Sequence, residues 1–169
     1  MNRLQKDGTY KGRAVAWSVR KLSTGSVAIR VEFEVFERRD ADGAWRKGQS
    51  ALVVGDFFVL KQTGAANEKI AAMLCETIGW GGTFTETTET PPLDAIVQVD
   101  VESRQYNGKD YFDAKWIRQE NDDRKAKKGD EPLGAVAVVE LDKKHAAELK
   151  AIAAKAKKAA PPIDDGIPF

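Results

Sequence analysis

The chain has one cysteine, Cys75, and one histidine, His145, among its 169 residues. A lone cysteine excludes an intramolecular disulfide, and one of each leaves a zinc site of the usual Cys/His kind impossible to assemble. Metal hydrolysis and Ser-His-Asp chemistry lose most of their ground with it. There is no glycine-rich phosphate loop of the G-x-x-x-x-G-K-[ST] type, and the carboxylates are scattered without an obvious pair. The reading is therefore of a protein that is not an enzyme, with no cofactor and no metal. No apolar run approaches the roughly 18 residues of a membrane span. The opening residues, Met1 to Asp7, lack the apolar stretch of a secretory signal, so a cytoplasmic protein is expected.

An excess of one charge is also missing. Lys and Arg number 27 against 26 Asp and Glu, a formal net charge of +1. That balance hides three regions: residues 1–123 carry 17 basic and 19 acidic side chains, residues 124–162 carry 10 and 5, and residues 163–169 carry only Asp164 and Asp165. A polyanion site in the first region must come from local placement of charge, not from its sum. At 42% hydrophobic and 31% charged the chain is globular and long enough for one domain with appendages.

From Gly8 to Arg118 the apolar residues recur mostly every second position, the spacing that puts alternate side chains on one face of a strand. Val27, Ile29, Val31, Phe33 and Val35 form the clearest such face. Tyr10 to Val19 precedes it, reversing at Leu22-Ser23-Thr24-Gly25-Ser26. Asp40-Ala41-Asp42-Gly43 follows it and returns the chain as Trp45 to Leu60. Glu68 to Ile78 then places Ile70, Ala71, Leu74, Cys75 and Ile78 at helical spacing, with Asn67 as N-cap and Gly79 as stop. Cys75 sits on that apolar stripe with no histidine partner in view and reads as core. After a loop containing Gly81-Gly82 and Pro91-Pro92, Ala95 to Val101 alternates again. Asn107-Gly108 is the strongest hairpin signal in the chain, and Tyr111 to Arg118 returns from it. Three strands, one helix and two strands are the element order of an OB-fold. The expected fold is therefore mainly β: a five-stranded OB-like barrel with one helix between strands 3 and 4, and a helical or flexible C-terminal tail.

Beyond residue 123 the composition changes. Arg124 to Pro132 reads as an exposed linker, and Leu133 to Leu141, with Val136, Val138 and Val139, as either a short added strand or more linker. Asp142 to Ala160 is Ala/Lys-rich with Leu141, His145, Leu149 and Ile152 three or four apart. It should be helical, with Asp142 near its start, lysines near its end, and an apolar stripe too thin to guarantee packing. His145 reads as a solvated or half-packed ring rather than a ligand. The domain reading is 1–123 for the barrel, 124–162 for a basic linker and helix, and 163–169 for a separate tip.

That tip reads Ile163-Asp164-Asp165-Gly166-Ile167-Pro168-Phe169. It is either a frayed or self-docking end or a short linear ligand. As a ligand, Phe169 and Ile167 would fill a pocket on a partner, Asp164, Asp165 and the terminal carboxylate would meet basic groups, and Pro168 would limit the entropy lost. Asp164 to Phe169 resembles the acidic Asp-Asp-Asp-Ile-Pro-Phe tip of bacterial single-stranded DNA-binding proteins, with Gly166 in place of the usual third acidic residue. The first 120 residues look instead like phage-encoded single-stranded DNA-binding proteins of the OB type. Gly8-Thr9-Tyr10, Ser23-Thr24-Gly25-Ser26, Asn107 to Tyr111 and Lys115-Trp116-Ile117 carry that resemblance. It implies a protein that coats single-stranded DNA in phage replication or recombination within a bacterial cytoplasm. Through the tip it would recruit replication, recombination and repair proteins.

A single strand is held by rings that stack on bases and by cations that follow phosphates. Candidates for that work are Arg30 on the polar face of strand 2 and, near the hairpins, Arg20, Lys21, Arg38, Trp45, Arg46, Arg104, Tyr106, Lys109 and Tyr111, which an OB-fold brings to one groove. Trp17, Trp80 and Trp116 sit beside apolar neighbours and read as core, whereas Trp45 and Tyr106 lie at polar turns. Glu32 and Glu34 argue against a uniformly positive sheet face. The rival reading is an adaptor on an OB-like scaffold that binds replisome proteins, with DNA binding incidental. Homo-oligomerisation is left open.

Overall fold

The computed structural model describes Leu4, residues 6–122 and residues 135–159. The linker up to residue 134 and the tip at 163–169 lie outside the described residues. The elements are β1 (Gly8–Lys21), β2 (Val27–Arg39), β3 (Trp45–Leu60), α1 (Glu68–Ile78), α2 (Glu86–Glu89), β4 (Ile96–Tyr106), β5 (Lys109–Gln119) and α3 (Ala135–Ala159).

The strands close into a barrel in the order β1-β2-β3-β5-β4, with β4 pairing back onto β1 from Arg13↔Ile96 to Gly8↔Val101. This is the five-stranded OB-like barrel that the element order implies. The ring is sealed by parallel contact of β3 with β5 at Val54↔Asp113. Gly55 makes that seam possible. A Cβ there would lie 2.7 Å from the Ala114 carbonyl oxygen and 2.8 Å from the Phe57 ring, so any side chain would hold β5 away.

The alternating face of β2 fills the barrel. Val27, Ile29, Val31, Phe33 and Val35 are all buried, and Phe33 meets Phe57 edge-on with centroids 6.2 Å apart. Each such side chain withdrawn from water contributes about 1.5–3 kcal/mol, which is why this strand's periodicity is so regular. Helix α1 has the limits that its pattern predicts and lays Ala71, Leu74 and Ile78 on the core. Asn67 stands at its N-cap without a side-chain capping bond. A one-turn helix, α2, occupies part of the stretch read as loop.

The C-terminal helix departs from the sequence reading. It begins at Ala135 rather than Asp142, so residues 135–141 are helical and not a strand. Asp142 consequently lies inside the helix. Its carboxylate does not serve the helix's own start but accepts the backbone N–H groups of Phe84 and Thr85 ahead of α2. The thin stripe suffices for docking: Leu141 and Leu149 join the barrel's core, and Ala153 and Ala156 close against Cys75 and Ala72 of α1. Small alanines let the two helices approach closely. Among the described residues no helix is long and apolar enough to cross a membrane.

Candidate nucleic-acid interface

The β4–β5 hairpin turns at Asn107 and Gly108, whose φ values of 50° and 72° are those that an Asn-Gly turn supplies. Its register pairs Glu102 with Asp113, Arg104 with Tyr111 and Tyr106 with Lys109. Residues two apart on paired strands share a face, so Arg104, Tyr106, Lys109 and Tyr111 project together on the outside of the barrel. Both rings are open to solvent, Tyr106 at 60% and Tyr111 at 41%. The Arg104 guanidinium lies 5.5 Å from the Tyr111 ring centroid, and its Nε is 2.7 Å from the Asp113 carboxylate. Lys115 Nζ reaches the same carboxylate oxygen at 3.0 Å.

The β3–β5 seam continues this face. Asp113 stands beside Val54, and Asp56 is two residues further along β3. Asp56 accepts both a 2.8 Å bond from Arg30 Nε and a 2.9 Å bond from Arg30 Nη2, with Arg20 Nη1 at 3.6 Å. Asp113 and Asp56 thus each hold two cations on side chains already fixed in place, while Glu102 opposite Asp113 and Glu32 opposite Val54 offset part of that positive charge. Lys21, exposed at the end of β1, alternates with Arg20 and does not share its face. The middle of the sheet is less favourable: Glu32 and Glu34 face outward from β2, and Glu34 accepts the Ser50 hydroxyl at 2.8 Å.

On the other side of the barrel a second aromatic is ringed by cations. Lys11 Nζ sits 5.0 Å from the Trp45 ring and Arg39 5.8 Å from it. Lys11 also pairs with Glu120 at 2.8 Å. This grouping depends on a bulge. Phe36 drops out of register against both neighbours, since Gly12↔Val35 is followed by Lys11↔Glu37 and Val35↔Ala51 by Glu37↔Lys47. The bulge turns Arg39 outward and Arg38 inward.

The ten sequence candidates are therefore not placed alike. Arg104, Tyr106, Lys109 and Tyr111 share one face, Arg20 and Arg30 meet on Asp56, and Trp45 forms its own platform. Arg38 is opposite buried Tyr10 and donates to the Asp7 carbonyl at 3.2 Å, closing the barrel's end. Burial pushes the Tyr10 phenol up, against the pull of the Arg38 guanidinium. Arg46 is held by Asp40 at 2.8 Å and Asp42 at 3.6 Å within the second hairpin. The single groove expected for all these loops is instead a strip along the seam and a separate patch around Trp45. The sequence reading missed Lys11 and Lys115, although strict alternation in β1 would have placed Lys11 on the outer face.

Trp17 and Trp80 are buried, their indole N–H groups donating to the Thr90 and Thr83 carbonyls at 2.7 and 2.8 Å. Trp116 is half-buried, with Lys69 Nζ 5.1 Å from its ring. Cys75 is buried against α3, its thiol donating to the Ala153 carbonyl at 3.5 Å, and burial pushes its pKa up. His145 is half-buried on α3. No grouping of His, Cys, Asp and Glu suited to a metal occurs among the described residues.

No family model matches the chain, and no curated protein does. Among solved structures, the crystal structure of a small single-stranded DNA-binding protein from Streptomyces coelicolor is similar at 15% identity. The match covers 72% of this chain and 97% of that one, with a TM-score of 0.28. A likeness of that degree adds nothing to what the strand order already gives.

Proposed function

We propose that this protein binds single-stranded DNA through the outer face of its barrel and performs no catalysis on it. The observation that carries this reading is the β4–β5 hairpin, where two solvent-open tyrosines alternate with Arg104 and Lys109 on one face. Rings in that setting cannot be contributing to a core, and each base stacked on one is worth about 1–3 kcal/mol. The paired cations on Asp113 and Asp56 are suited to the phosphates between stacked bases.

In this reading the protein coats exposed strands during phage replication or recombination in a bacterial cytoplasm. Asp164, Asp165, Ile167, Pro168 and Phe169 recruit replication, recombination and repair proteins, on the strength of the tip's sequence alone. Residues 1–123 bind the strand, 124–162 form a basic connection and helix, and 163–169 the recruiting tip.

Titration with oligo(dT) tests it. Tryptophan emission should be quenched, and affinity should fall with salt at a slope of about −0.7 per phosphate contacted. The adaptor reading is favoured by one feature, the outward Glu32 and Glu34 at the middle of the sheet, and it predicts neither quenching nor salt dependence.

A further inference from the structure

Helix α3 presents to solvent a face that its docking does not use. Leu141, Leu149, Ala153 and Ala156 are buried, and Lys143, Lys144, Lys150, Lys155, Lys157 and Lys158 are all exposed. At 100° per residue these lysines fall on the half of the helix opposite the buried stripe. None of the six forms an ion pair or hydrogen bond with another described residue. Glu–Lys pairs four apart stabilise a solvated helix. Here Glu148 is the one acidic residue among the described exposed positions of the helix.

From this we infer that the α3 lysine face is a second contact surface for the phosphate backbone of the strand that the barrel holds. The inference rests on the proposed single-strand binding. Lys143, Lys150 and Lys157 are seven residues apart and form one column, with steps of about 10.5 Å at 1.5 Å per residue. A row of mobile ammonium groups with only alanine among them offers charge without hydrogen-bond geometry or stacking. It therefore suits sequence-independent neutralisation of phosphates rather than base reading. The helix is docked on the barrel, so this charge is held in a fixed place instead of on a free tail.

The test is an oligo(dT) titration of the full chain and of the triple variant Lys143→Gln, Lys150→Gln, Lys157→Gln, at 50 to 200 mM salt. Circular dichroism confirms the fold, and Lys144→Gln with Lys155→Gln and Lys158→Gln serves as the second variant if the first is unfolded. Quenching amplitude reports stacking on the barrel, since α3 carries no tryptophan. Salt slope reports phosphates. The expected result is unchanged amplitude with a slope shallower by about 2, so that the wild-type advantage shrinks roughly 18-fold across that salt range. An unchanged slope overturns the inference while leaving the barrel's role intact. Tighter binding by the variant also overturns it, and would mean that the face holds the chain's own acidic tip. Absence of quenching in the wild type defeats the underlying reading, and this inference with it.

Discussion

Arg104 and Tyr111 face one another across the β4–β5 ladder, the guanidinium 5.5 Å from the ring centroid, on a hairpin face otherwise open to water. A cation resting on an exposed ring keeps that ring oriented, and the second ring, Tyr106, is next to it on the same face. Tyr106→Ala and Tyr111→Ala should each weaken oligo(dT) binding by about 1–3 kcal/mol, roughly 5- to 150-fold. Neither should shift the melting temperature appreciably, because both rings are exposed. Anisotropy titrations beside thermal melts check both halves of the expectation.

Trp45 is the tryptophan placed to report on the strand. Trp17 and Trp80 are buried with their N–H groups bonded; Trp45 and Trp116 are both half-buried with cations at their rings, and Trp45 differs in standing beside the polar second hairpin. Trp45→Phe should therefore abolish most of the quenching by oligo(dT) while reducing affinity less than tenfold, since a phenyl ring still stacks. Quenching that survives in this variant would place the strand elsewhere.

How much of this was legible follows from what each element depends on. The β2 face and the helix Glu68–Ile78 are set by local periodicity, and both could be read directly. The Asn107-Gly108 turn was legible because few residue pairs supply two positive φ values. The start of α3 was not: Val136, Val138 and Val139 are β-branched and suggest a strand. The Phe36 bulge was equally invisible: against β1 it is one unpaired residue, and against β3 it faces Gly48, Gln49 and Ser50 within a stretch that reads as continuous strand. It decides that Arg38 turns in to Tyr10 while Arg39 turns out to Trp45. The meeting of Asp113 with Val54 arises from barrel closure, a contact between residues far apart in the chain.

Asp142 ties α3 to the loop before α2 through the N–H groups of Phe84 and Thr85. Asp142→Ala leaves both donors without their acceptor and should cost about 2–3 kcal/mol, a fall of roughly 4–12 °C in melting temperature. Asp142→Asn, which keeps one acceptor oxygen, should lose less. Equal melting temperatures for all three proteins would show that this tie contributes nothing.

Alkaline pH should destabilise the fold. Burial raises the Tyr10 phenol and the Cys75 thiol above their ordinary values, so the folded chain keeps protons that the unfolded chain releases near about pH 10 and 8.5. Stability from these groups is complete below about pH 8.5 and is lost as pH rises through and beyond that range. Urea midpoints should decline from neutral pH to about pH 10.5, and Tyr10→Phe with Cys75→Ala should flatten the decline. A midpoint that rises with pH would contradict the sign.

The most direct measurement is ultraviolet cross-linking of the full chain to oligo(dT), followed by mapping of the modified peptides. The account predicts adducts on the hairpin between Arg104 and Tyr111, with a second group at Trp45. Adducts confined to other surfaces, or none under conditions where the oligonucleotide is bound, would contradict it.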